Sequence, residues 1–266
     1  MHIGALHIYP VKSLGPVALE EAEVTPRGLA GDRRWMIVDA QGKFVTRREL
    51  PALARIGMRI GAGGYLLRAA EGEAELSASL EGGSLAPVTV WNDIVPAYVV
   101  ENDASGLVSD VAGRRLRLAY MPDDTCRAVN PDFGQPGDHV SFADAFPILV
   151  ASMASLGALN MALEKPVEMA RFRPNVVLTG EGLEPWAERG WRAVTLGGVT
   201  MRLPKACIRC IVITQQPETG AREEGNAVPS ALRRLGQSGP QGALFGMNAV
   251  PEGVGRLAVG DKVAVG

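Results

Sequence analysis

The sequence predicts a mainly β chain with some helices (α+β), in which a small N-terminal barrel or sandwich packs on a mixed, β-rich second part. Three observations predict it. Through the first hundred residues, short runs alternate apolar and polar positions, as half-buried antiparallel strands require. Gly, Pro and Asp break those runs where turns are needed. Segments with apolar residues at helical spacing enter only from about residue 103 onward.

Taken in order, strands are expected at residues 3–9, 18–24, 34–38, 55–60, 65–69 and 87–90. Asp39-Ala-Gln-Gly42 and Gly61-Ala-Gly-Gly64 lie between such runs, where Gly supplies the positive φ of tight hairpins. A helix is expected over 104–112, with Asp103 as its N-cap. Another follows over 152–163, where Ser152 precedes Met153, Leu156, Leu159 and Leu163 at helical spacing. Strands return at 175–179, 193–196, 199–203 and 211–214, and Pro229 opens a helical run that ends at Gly236. The closing segment, 255–265, reads as a strand pair around a Gly-Asp turn. No Pro- or Ser-rich linker and no internal repeat divides the chain, so units 1–102 and 103–266 are expected to pack together.

Bulk properties exclude several functions. With 47% hydrophobic and 21% charged residues the 266-residue chain is globular, and a formal charge of −2 gives no basic field for nucleic acid. It shows neither a signal peptide nor a run of eighteen apolar residues, so the expected location is cytoplasmic with no membrane span. Three cysteines are too few for a disulfide framework or for the four thiolates of an ordinary iron–sulfur cluster. The four tryptophans are scattered and read as core anchors. No Gly-rich dinucleotide, P-loop or nucleophile-elbow motif is present.

Cys207-Ile-Arg-Cys210 has C-x-x-C spacing and admits a redox pair, half of a zinc site, an isolated thiolate ligand beside a spare cysteine, or two packing residues. Zinc is weakest, because Cys126, His2, His7 and His139 supply no second paired spacing. The redox pair is demoted because β-branched Ile211-Val-Ile-Thr214 sends the second cysteine into a strand instead of a helix. Lys205 and Arg209 place positive charge near Cys210, which favours a thiolate.

Four further segments occur in order: Ile8-Tyr-Pro-Val-Lys-Ser13, Gly31-Asp-Arg-Arg-Trp35, Arg171-Phe-Arg-Pro-Asn175, and Ala206-Cys-Ile-Arg-Cys210 followed by Pro217-Glu-Thr-Gly220. Together they resemble the family built on the C-terminal domain of molybdenum cofactor sulfurase (MOSC), preceded by its N-terminal β-barrel. Nearest in pattern are the mitochondrial amidoxime-reducing component and its bacterial counterparts. The resemblance covers nearly the whole chain and implies a small N-terminal β-barrel on a mixed-barrel MOSC domain, carrying a molybdenum–pterin cofactor (molybdopterin).

Carried over residue by residue, the resemblance makes Cys210 the molybdenum ligand and Cys207 its neighbour. It places Lys12, Ser13 and Arg33 on the pterin or its phosphate, Arg173 and Asn175 against the cofactor, and Asp144 at its edge. Chemistry agrees, since guanidinium grips phosphate in a fork and lysine adds a point charge. Read singly, Lys12 and Arg33 are also compatible with solvated strand ends, Asn175 with a turn cap and Asp144 with a turn aspartate bonding its own backbone. Two departures bear on pocket shape: Phe146 stands where the mitochondrial relatives have Ser, and Gln216 stands where Asp is expected before Pro217.

The implied activity is reduction of N-hydroxylated small molecules. Some bacterial relatives carry a fused ferredoxin-like domain, whereas this chain stops at Gly266. The expected electron source is therefore a separate protein, ferredoxin-like or a flavoprotein reductase. The alternative is a carrier, in which Cys210 holds sulfur or the molybdenum cofactor during its maturation.

Overall fold

A computed structural model describes residues 1–80 and 82–266. The fold is mainly β, as the alternating runs require. Its strands form one nine-stranded sheet, one four-stranded sheet and two three-stranded sheets, and no sheet closes on itself by hydrogen bonds among the described residues. The separate sheets share one core, which takes Leu6 and Val150 from the large sheet and Val24 and Leu67 from the two three-stranded sheets.

Strand His2–Ile8 pairs antiparallel with Val176–Thr179, which runs parallel to Ile148–Ser152 at the centre of the large sheet. Chain segments distant in sequence are thereby brought side by side. Trp35–Val38 is buried along its whole length because both of its faces meet a core. Trp35 and Ile37 join the main core, while Met36 and Val38 join a second one with Val88, Val95 and Ala97. A third core lies under the helices Met153–Met161 and Ala227–Arg234, where the Phe172 and Phe245 rings stack at 3.8 Å.

Several local expectations shift. The run at 18–24 is two strands, Val17–Leu19 and Glu21–Thr25. The stretch expected as strand at 55–60 begins in the 3-10 turn Pro51–Arg55 and becomes strand only at Gly57–Ile60. Gly72–Ser77, Asp93–Val100 and Arg117–Tyr120 are strands beyond those expected. The first helix, Asp103–Ala112, is capped by Asn102 and not Asp103, because Asn102 accepts from Ser105 N while Ser105 Oγ accepts from Asn102 N, a reciprocal capping box. Ser152 does cap Met153–Met161, accepting from Ser155 N.

Ile211–Thr214 is a 3-10 turn and not a strand, so local β-propensity is overridden at the sequence's most chemical point. The closing strands Gly255–Ala258 and Val263–Val265 pair with Glu21–Thr25 and Ala193–Leu196, and not with each other. No helix among the described residues is long and apolar enough to cross a membrane.

Candidate active site

Backbone pairing assembles the site. His7 N donates to Asn175 O (2.9 Å), while Arg33 N and Trp35 N donate to Tyr9 O and Pro10 O (both 2.9 Å). Segments 9–14, 32–35 and 173–175 therefore meet at one end of the large sheet. They form a cleft of about 240 Å³, whose lining includes all seven side chains singled out by sequence: Lys12, Ser13, Arg33, Asp144, Arg173, Asn175 and Cys210.

Ser13, Arg33 and Arg173 all sit in left-handed backbone, with φ of 80°, 46° and 54°. For residues other than Gly this conformation costs on the order of 1–3 kcal/mol each and persists only where surrounding contacts over-determine it. Those contacts are visible. Arg33 Nη1 pairs with the buried Asp32 carboxylate (2.5 Å) and donates to Asn175 Oδ1 (2.9 Å), and its Nη2 donates to Arg173 O (3.3 Å). Arg173 Nη1 donates to Leu14 O (2.8 Å).

Both guanidinium carbons lie over the Tyr9 ring, at 4.3 and 4.1 Å from its centroid. Burial pushes the Tyr9 hydroxyl up to about 12, against the pull of the two arginines, so it stays neutral and donates to Pro174 O (3.3 Å). Burial also lowers Arg173 to about 9, which leaves it charged at neutral pH. Asn175 is 1% exposed, and its amide holds three segments: Oδ1 also accepts from Leu149 N (3.1 Å), and Nδ2 donates to His7 O (3.1 Å).

Lys12 is buried, donating to Phe142 O (2.7 Å) and pairing with Asp144 (2.5 Å). Neither it nor Arg33 is a solvated strand-end charge. Burial depresses Lys12 to about 8, an effect that Asp144 only partly offsets and that the neighbouring charges of Arg48 and Arg127 reinforce. Asp144 feels burial in the raising sense, yet Lys12, Arg48 and Arg33 together hold it well below the usual carboxylate range. Protein encloses its surroundings, but the side chain stays 55% exposed toward the cleft. Its carboxylate joins Lys12 to Arg48 (3.4 Å), so the reading of Asp144 as a turn residue bonding its own backbone is replaced. Arg127 steadies this segment by donating to the carbonyls of Ser141, Ala143 and Asp144.

Cys210 is exposed, at the junction between strand Val199–Ile208 and the 3-10 turn. The charges expected beside it lie elsewhere. Arg209 Nη1 contacts Cys207 Sγ (2.9 Å), and Lys205 Nζ lies over the Phe133 ring (4.0 Å). The cation directed at Cys210 Sγ is Arg48, at 3.9 Å, which also stacks on Trp91 (4.4 Å). Trp91 is 44% exposed and is therefore a rim residue and not a core anchor.

Arg48 reaches this position because its neighbour Arg47 locks to the segment after Cys210. Arg47 Nε donates to Gln215 Oε1, and Gln215 Nε2 donates back to Arg47 O (both 2.8 Å). Gly220 seats the following loop, since a Cβ there would stand 2.1 Å from Pro51 O. Of the two departures, Phe146 lines the cleft, whereas the Gln216 side chain turns to Glu224 (3.0 Å). Sequence reasoning missed Tyr9, Arg47, Arg48 and Arg127. Tyr9 sat inside a quoted motif, and the paired Arg47-Arg48 ahead of Pro51 was a usable signal, but Arg127 carried none.

Among the described residues no group of three or more His, Cys, Asp or Glu is placed to hold a metal ion directly. The cleft instead combines seven basic side chains, one carboxylate and one exposed thiol. That donor set fits a group carrying its own metal ligands and an anionic tail, as a molybdenum–pterin does, with one protein thiolate completing the metal's coordination.

Comparison with known proteins defines the class first. The MOSC N-terminal beta barrel domain model matches residues 1–115, and the MOSC domain model matches residues 137–264. Mitochondrial amidoxime-reducing component 1 of Homo sapiens is 31% identical over 292 residues, covering 98% of this chain and 82% of that protein. Mitochondrial amidoxime reducing component 2 of Bos taurus is 31% identical over 281 residues, with the same two coverages. Component 1 of Xenopus laevis is 30% identical over 289 residues, covering 98% and 81%. The chain belongs to the family of two-part MOSC proteins that includes the mitochondrial amidoxime-reducing components.

Proposed function

We propose that this protein is a molybdenum-cofactor-dependent reductase of N-hydroxylated compounds. The observation that carries this reading is the convergence of an exposed Cys210 with three buried or half-buried cations, Lys12, Arg33 and Arg173, on one cleft. In it Cys210 is the protein's ligand to molybdenum. Lys12, Ser13, Arg33 and Arg173 hold the pterin and its phosphate, and Asn175 keeps Arg33 in place. Asp144 aligns Lys12 and Arg48, and Arg48 balances the negative charge of the ligating sulfur. The bound cofactor supplies the two-electron chemistry that the protein's own side chains lack.

For an amidoxime the balance is simple. The N–O bond breaks, two electrons and two protons are taken up, and an amidine and one water leave. Three cysteines and no dinucleotide motif leave the chain without an internal relay, so a reduced electron-transfer protein, ferredoxin-like or a flavoprotein reductase, delivers the electrons.

Cofactor-loaded protein supplied with reduced viologen is expected to convert benzamidoxime to benzamidine, and to do so negligibly with NADH alone. Rapid turnover with NADH would overturn the separate-donor assignment. Inactivity with dye across several N-hydroxylated substrates would make a sulfur or cofactor carrier the better reading.

A further inference from the structure

Lys205 differs from every other basic side chain on the cleft. The rest each donate to an oxygen acceptor, from Lys12 on Asp144 and Phe142 O to Arg209 on Phe172 O. Lys205 has no hydrogen-bond acceptor and no carboxylate partner among the described residues. Among the described residues its one charge-directed contact is the Phe133 ring, 4.0 Å from Nζ. A π face attracts an ammonium but leaves its three N–H donors unused and its charge uncancelled.

The surroundings are those of a binding surface. Phe133 packs edge-on against Phe146 (centroids 6.3 Å apart), and Phe146 forms part of the cleft lining with Lys205. Phe133 is 37% exposed while Phe146 is 7% exposed, so an aromatic wall runs inward from the mouth with one unneutralised cation beside it. Lys205 lies on strand Val199–Ile208, which leads directly into Cys210.

We propose that Lys205, with Phe133 and Phe146, is a substrate-recognition subsite selecting aryl N-hydroxylated compounds that carry a carboxylate on the ring. The proposal rests on the reductase reading for its substrate class. The aryl ring packs on the phenylalanine wall, the carboxylate takes a charge-assisted hydrogen bond from Nζ, and the N-hydroxyl end is directed into the cleft that holds Cys210.

The test is calorimetric titration of cofactor-loaded protein without an electron donor, so that neither ligand turns over, using benzamidoxime and 4-carboxybenzamidoxime. The carboxylated compound is expected to bind about tenfold more tightly, the gain of one charge-assisted hydrogen bond. Lys205→Arg keeps the preference, Lys205→Met reduces the ratio to about one, and Lys205→Glu inverts it toward 4-(aminomethyl)benzamidoxime. Pterin content per folded protein stays at the wild-type level in all three variants.

Equal affinities in the wild type, or a preference that survives Lys205→Met, overturn the subsite. A loss of pterin in Lys205→Met also overturns it and makes Lys205 a cofactor contact. Preferential binding without dye-driven turnover of either compound would retire the reductase reading while leaving the subsite. Turnover without preferential binding would do the reverse.

Discussion

The two walls of the cleft are held in different ways. The wall built from residues 9–33 and 173–175 is over-determined: Arg33 and Arg173 rest on Tyr9, bond to carbonyls and carboxylate, and sit in costly left-handed backbone. The wall built from residues 205–212 is open, with Cys210 exposed, Ile211 exposed and Lys205 without an acceptor among the described residues. A rigid cationic wall suits a tightly held anion that never leaves, because the ordering cost is met during folding. An open wall suits a metal that must be reached by substrate and electrons.

The largest expected effect separates the walls by stability. Asn175→Ala strands Leu149 N, His7 O and one Arg33 N–H in a buried place, and is expected to cost roughly 2–4 kcal/mol, since each buried group left unpaired costs about 1–3 kcal/mol. Arg48→Met on the open side removes a part-exposed ion pair worth only about 0.2–1 kcal/mol. Urea denaturation of both variants checks this, and equal losses would erase the contrast.

A smaller effect sharpens the cationic wall alone. Lys12→Met is expected to weaken cofactor retention by ~1.5–3 kcal/mol, the value of a charged hydrogen bond. Because burial sets Lys12 at about 8 in the folded protein, phosphate binding must be accompanied by proton uptake above that pH. Wild-type retention should thus stay flat below about pH 8 and fall by up to about tenfold per pH unit above it. Folding runs the other way: the unfolded chain keeps its proton longer, so this group's contribution to stability improves as pH rises through the same window. Pterin content after equilibration across that range is the readout, and a slope that persists in Lys12→Met would assign the titration to another group.

The contrast also marks what was legible in the sequence. The ordered motifs named the cationic wall because each motif carries its own functional side chain. They could not reveal that Asn175 and His7, separated by 168 positions, share a hydrogen bond, since strand pairing at that range leaves no local trace. Arg127 leaves no local trace either, since its carbonyl partners at residues 141–144 are set by where the chain returns, whereas Arg48 stood in a legible Arg47-Arg48 pair whose target, Cys210, was not legible. The 3-10 turn after Cys210 was misread because Ile211-Val-Ile-Thr214 is locally ideal strand, and only its tertiary setting makes it turn. Gly72–Ser77 escaped because its charged positions masked the buried alternation of Ala74 and Leu76.

Two cysteines three residues apart differ in kind: Cys210 faces the open cleft beside Arg48, while Cys207 is half-buried against Arg209. The direct measurement is molybdenum and pterin per folded protein in Cys210→Ala and Cys207→Ala, each produced in a host that makes the cofactor. Cys210→Ala is expected to lose the metal and dye-driven turnover, while Cys207→Ala keeps both near the wild-type level. Equal loss in the two variants would contradict it and return the pair to a C-x-x-C redox role.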